Sequence, residues 1–150
     1  MPEKVLAYDK SIAPQVTNRT CGPASIQVVL NSRGVVKDEL ALERETELLE
    51  NPNGKNDLDG TDHVRQVQTV LNRYLAQAKY AVVDMPNDPP IQTQRDKLWN
   101  DIVASVNAGY GVITNIVSPP SNRPRAVAPS SVGPNYGTDK VFHYFTVMGW

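Results

Sequence analysis

Several things are scarce in this chain, and each scarcity removes a class of explanation. There is 1 cysteine in 150 residues, so no disulfide can form within the chain, and a reducing compartment suits it. That cysteine and the 2 histidines are too widely separated for any zinc-ligand spacing. No apolar run approaches the ~18 residues of a membrane span. Residues 1–7 lack the apolar core of a signal peptide, which predicts synthesis in a cytoplasm. The formal net charge is −1, which gives no electrostatic footprint for nucleic acid or an anionic membrane. No glycine-rich phosphate loop follows a strand, and no segment repeats. Asp57, Asp59 and Asp62 around Gly60 are loosely calcium-like, but their spacing does not match an EF-hand loop. The expectation is therefore no cofactor and no required metal.

What is present fits one domain with a real core. Hydrophobic residues make up 40% and charged residues 21%, ordinary for a globular chain. Val5–Tyr8 reads as a short opening strand, and a helix runs from Cys21 toward Gly34. Lys37–Glu50 is rich in helix formers, with Leu40, Leu48 and Leu49 as its apolar face. Residues 51–60 read as a surface loop. Thr61 is the expected cap of a third helix whose Val64, Val67, Leu71, Tyr74 and Leu75 recur at helical spacing. Tyr80–Met85 reads as a strand and Asn87–Pro90 as a turn. Thr93 and Asp96 suggest a capping box for a helix carrying Leu98, Ile102 and Val106, flanked by Trp99 and Val103 and stopped by Gly109. Val112–Val117 and Val141–Trp150 are strands. Between them, residues 118–140 lack an apolar period, a long loop of the kind that is usually functional; it returns directly to His143, so a wall of a substrate cleft is expected there. Helices come early and strands late, which predicts an α+β fold with helices packed on a C-terminal antiparallel sheet.

The chemistry concentrates in Gln15–Ser25. Thr20 suits an N-cap, and Pro23 is tolerated in a first helical turn, where its missing N–H is not needed. Cys21 therefore opens a helix, where aligned peptide dipoles and free N–H groups suit an anionic nucleophile. A lone cysteine is commonly a small buried hydrophobe, but a polar approach and a Gly-Pro neighbour are poor surroundings for a core thiol. A thiol nucleophile needs a base and its intermediate needs hydrogen-bond donors. His143 is the candidate base, and Gln15 with the Cys21 N–H the candidate donors. Gly22 would tolerate a close substrate, and Asn115, Tyr110 and the 119–136 loop are candidate substrate contacts. His63, beside Asp62 in a helical first turn, reads as a solvated or capping residue.

Gln15, the run Cys21-Gly22-Pro23-Ala24-Ser25 and the strand His143–Trp150 together resemble the papain-like cysteine peptidases. More closely, they look like the branch that processes bacteriocin (double-glycine) leader peptides and its relatives in phage cell-wall lysins. Gly60-Thr61-Asp62, Asn87-Asp88-Pro89-Pro90 and Asn107–Val112 are similar to the N-terminal peptidase-like modules of mycobacteriophage endolysins. The resemblance implies a papain-like fold, Cys21 as nucleophile, His143 as base then acid, and Gln15 in the oxyanion hole. It implies a peptidoglycan peptide as substrate, and downstream lytic or wall-binding domains in the same parent chain. It further implies a protein made in the cytoplasm of an infected cell that reaches the wall through a pore. The family's third catalytic residue, Asp or Asn, arrives roughly fifteen residues after the histidine, beyond Trp150. A truncated domain is thus the expectation, with Asp101 or Asp139 the only internal substitutes, and weakened activity in the fragment. Leader-peptide processing and a catalytically silent wall-binding module are the alternative readings.

Overall fold

A computed structural model describes residues 3–12, 14–53, 57–128, 131, 133 and 135–150. Met1, Pro2 and parts of the two expected loops (54–56, 129–130, 132 and 134) fall outside the described residues. The fold is α+β. Four helices precede most of the sheet: α1 (Cys21–Ser32), α2 (Glu39–Glu50), α3 (Val64–Tyr74) and α4 (Gln92–Asn107), followed by strands β1 (Val112–Ser118) and β2 (Val141–Val147). The strands pair antiparallel, with Asn115 opposite Tyr144 and Ile116 opposite His143.

The centre of the molecule is α1. Its Ile26, Val29 and Leu30 are fully buried. They meet Leu42 of α2, Val67, Val70 and Leu71 of α3, and Tyr144 and Met148 from the sheet. Burying one such aliphatic side chain contributes about 1.5–3 kcal/mol, so this cluster is what assembles α1 against its three neighbours. Thr146 adds a polar tie, its hydroxyl donating to the Ser25 carbonyl at 3.3 Å.

The helical periodicity of α3 is as the sequence predicts, but its start is later. The cap is His63, whose backbone N–H donates to the Gln66 side chain at 2.7 Å. Thr61 lies two residues earlier and packs elsewhere. Helix α4 likewise starts with Gln92, with Gln94 rather than Asp96 reaching back to the Ile91 N–H at 3.1 Å. Thr93 is therefore inside the helix. Only Val106 of α4 is buried, and Trp99 is exposed; the helix is peripheral. Gly109, with φ +92°, ends it in a conformation other residues rarely adopt.

Helix α2 keeps one residue of its expected apolar face, Leu49, against the core and turns the other two away. Leu40 and Leu48 are exposed, while Leu42, Glu39, Glu43, Thr46 and Glu47 are buried. Three glutamates four apart thus form an inward-facing acidic row. The first two are partnered: Glu39 accepts the Val16 N–H at 2.8 Å, and Glu43 pairs with Arg19 at 2.8 Å. Both partners lie on the segment leading to Cys21. Neither oxygen of Glu47, 1% exposed, has a hydrogen-bond partner.

Two expected strands are not regular strands. Val5 makes a single bridge to Gly149, supported by paired backbone bonds between Lys4 and Trp150 at 3.0 Å. Residues 80–85 run irregularly. Both backbone polar groups of Tyr80 are satisfied by the Asn72 side chain, at 2.7 and 2.8 Å. Gln68 donates to the same carbonyl at 2.9 Å. Side chains of α3 thus take, at Tyr80, the bonds a neighbouring strand would have supplied.

Candidate active site

Cys21 is the first residue of α1 and is half-buried. The preceding segment is held by several bonds. The fully buried Thr20 hydroxyl donates to the Thr17 carbonyl and accepts the Thr17 N–H, each at 3.1 Å. Glu39 and Glu43 hold Val16 and Arg19 from the outside. Helix start and approach loop are thus fixed relative to one another before any substrate arrives.

A cleft of about 200 Å³ opens beside the helix start, and Cys21, Gln15 and His143 all line it. The Gln15 side chain donates to the Thr17 carbonyl at 2.6 Å. That uses one of its two amide hydrogens and leaves the other. Asn115, Tyr144 and Cys21 share a second recess of about 660 Å³, walled by the 58–62 segment.

His143 reaches the cleft from a different direction. Side chains alternate along a strand. Tyr144, Thr146 and Met148 face α1, so His143 belongs to the opposite face and comes to the cleft at the rim of β2. Its ring meets Tyr136, with centroids 5.2 Å apart. Burial holds the imidazole below the usual histidine range, favouring the neutral, proton-accepting form. Among the described residues, no hydrogen bond joins His143 to Cys21 or to a carboxylate. Asp101 is paired with Lys97 at 2.6 Å on the exposed face of α4, and Asp139 is an exposed loop residue.

Tyr136 comes from the long loop, which Arg123 clasps. One guanidinium nitrogen donates to the Ser118 carbonyl at 2.6 Å, and another donates to Asp139 across the loop. The same guanidinium lies 5.7 Å from the Tyr136 ring centroid. Burial, with the Cys21 sulfur adding to it, raises the Tyr136 hydroxyl above the usual tyrosine range. Tyr144 is pushed up to about 12, again mainly by burial, while the Asn115 side chain pulls it down. Sequence patterning does not single out Tyr136 or Tyr144: the first sits in a stretch without period, the second reads as a strand residue.

Two expected substrate contacts are placed otherwise. Gly22 is buried, and a Cβ there would sit 2.5 Å from the Thr61 hydroxyl oxygen. Its missing side chain is used by the fold, to admit Thr61. Tyr110 lines neither cavity; Arg33 lies over its ring at 4.7 Å and Tyr80 packs edge-on at 6.2 Å. His63 serves as a helix cap.

No curated protein and no solved structure matches the chain. The thiol lies near the start of the chain, the imidazole near the end and the helical core between them. A family model described as Peptidase_C39 like family matches residues 8–150, and the chain belongs to that cysteine peptidase family.

Proposed function

We propose that the protein hydrolyses amide bonds with Cys21 as nucleophile, and that its substrate is the peptide part of peptidoglycan. The observation that carries the chemistry is the shared cleft, where a thiol at a helix start, a glutamine amide and a neutral imidazole meet. The cysteine sulfur attacks the scissile carbonyl and a C–S bond forms. His143 takes the thiol proton and returns it to the leaving amine as the C–N bond breaks. The Cys21 N–H and the second Gln15 amide hydrogen donate to the developing oxyanion. Water then cleaves the thioester, with His143 again moving the proton. For the first transfer the imidazole leaves its contact with Tyr136 and turns toward the sulfur; catalytic hydrogen bonds commonly tighten only when substrate is bound.

The substrate class rests on the resemblance of the Gln15–Ser25, 60–62, 87–90 and 107–112 stretches to mycobacteriophage endolysin modules. In that reading the protein works beside lytic or wall-binding domains of a longer parent. It reaches the wall from the infected cell's cytoplasm through a pore. The test uses purified peptidoglycan and the parent chain with wild-type Cys21 or Cys21→Ala. Release of new amino termini by the wild type and not by the variant is expected. Equal release by both would remove Cys21 from the reaction. Cleavage of a double-glycine leader peptide in place of wall peptide would move the substrate to the processing branch. A Cys21 that no substoichiometric electrophile labels would mark a silent wall-binding module.

A further inference from the structure

Glu47 and Glu50 of α2 stand opposite Asp57 and Asp59, and one ligand oxygen from each lies within 4.8 Å of all the others. We propose that these four carboxylates form a binding site for a calcium-sized divalent cation that fixes the 57–62 wall of the Cys21 recess.

The acidic grouping alone would say little, since exposed carboxylates cluster without ions. Glu47 is the second observation. It is 1% exposed, yet neither oxygen has a hydrogen-bond partner. Only the Leu58 backbone amide favours its charged form, as the weakest of the influences acting on it. One Glu50 oxygen is also buried without a partner. Among the described residues, no lysine or arginine pairs with any of the four. Asp62 adds a fifth negative charge nearby, raising Glu50. Buried charges are ordinarily paired or bound to metal, and an uncompensated one costs several kcal/mol.

The donor set is all oxygen, which selects hard cations over zinc or copper. Calcium–oxygen distances of about 2.3–2.6 Å put opposite ligands about 4.6–5.2 Å apart, whereas magnesium at about 2.0–2.1 Å needs a tighter octahedron. Four carboxylates from a helix and a following segment fit the larger, more tolerant ion. Sequence spacing hides this arrangement, because half of the donors sit on α2 and only the Asp57/Asp59 pair has the look of a loop ligand.

The consequence reaches the cleft. Asp59 and Thr61 line the recess that Cys21 shares, and Thr61 is the residue that Gly22 admits. An ion tying Asp57 and Asp59 to α2 would set where that wall stands.

The experiment is calcium chloride added to chelator-treated protein, read by thermal unfolding, with terbium luminescence to count sites. One saturable site is expected, and the melting temperature should rise by roughly 5–10 °C at a hundredfold excess over the dissociation constant. Glu47→Gln removes a buried charge and should fold without calcium, with the calcium shift lost. Asp57→Asn, on the exposed side, should weaken binding at least tenfold. Cys21→Ala should bind calcium normally, so a failure of the peptidase reading leaves this one standing. The proposal is overturned if about 10 mM calcium produces no saturable binding, if Glu47→Gln shifts as the wild type does, or if magnesium is equally effective.

Discussion

The two ends of the cleft are built in opposite ways. The thiol end is rigid: Cys21 heads the central helix, Thr17 and Thr20 lock the turn before it, and Glu39 and Glu43 hold the approach from α2. The imidazole end is light: His143 sits on the outer face of one of two strands, and its ring neighbour is a tyrosine from an irregular loop. The difference teaches where each function is allowed to move. An oxyanion site must be in place beforehand, since preorganised donors act without reorganising. A base that gives and takes protons gains from a swing.

This contrast can be broken in descending order of effect. Cys21→Ala should lower amide hydrolysis by about 10⁴-fold or more, with a melting temperature near that of the wild type. Arg19→Ala leaves Glu43 buried and unpaired. Since Arg19 is itself one-third exposed, the expected cost is about 1–3 kcal/mol in urea unfolding, with slower labelling of Cys21. A cost below the error of the measurement would show that the approach loop is not held there. Gly22→Ala drives a methyl into the Thr61 hydroxyl oxygen and should cost about 1–3 kcal/mol. Adding Thr61→Ser, which removes only the methyl, should recover little, whereas Thr61→Gly should recover most of it. Tyr136→Ala should change stability by less than about 0.5 kcal/mol and yet alter kcat. A large stability loss would make the imidazole end as rigid as the other.

The pH response separates the ends by sign. His143 has its folded pKa lowered by burial. Its contribution is intact above the unfolded value near 6.5 and is lost as pH falls through the lower folded value. Glu47 is raised to about 7 by burial and by Glu50, Asp57 and Asp59. Its contribution is intact below the unfolded value of 4.5 and is lost as pH rises toward the folded one. In chelator, His143→Gln should flatten the acid side of the stability profile and Glu47→Gln the neutral side.

Both ends of the cleft were legible as segments of the sequence, the start of α1 at one end and the strand carrying His143 at the other. The α1 start shows itself through Cys21 and Pro23, and Thr20 does stand at the N-cap position, although its hydroxyl bonds back to Thr17 and not to the helix. The Val67–Leu71 stripe of α3 shows through periodicity. What failed depended on partners far along the chain. Glu39 and Glu43 look like surface residues until Val16 and Arg19, more than twenty residues earlier, are brought to them. Tyr80–Met85 has strand composition, but at Tyr80 the Asn72 side chain takes the bonds a strand would have supplied. Leu40 and Leu48 look like core residues and lie outside for the same reason that the glutamates lie inside. Tyr136 was legible only as part of a long loop expected to wall the cleft, and the Glu47 cluster only through Asp57 and Asp59, since neither grouping exists before loop and helix are folded together.

Arg123 has one more implication. By fastening the last residue of β1 to Asp139, just ahead of β2, it brings the two ends of the long connection together. Chain-closure entropy grows only logarithmically with length, so a longer or shorter connection should leave the strand that carries His143 in place. Variation in length there can thus reshape one wall of the cleft without shifting the strand from which the candidate base projects.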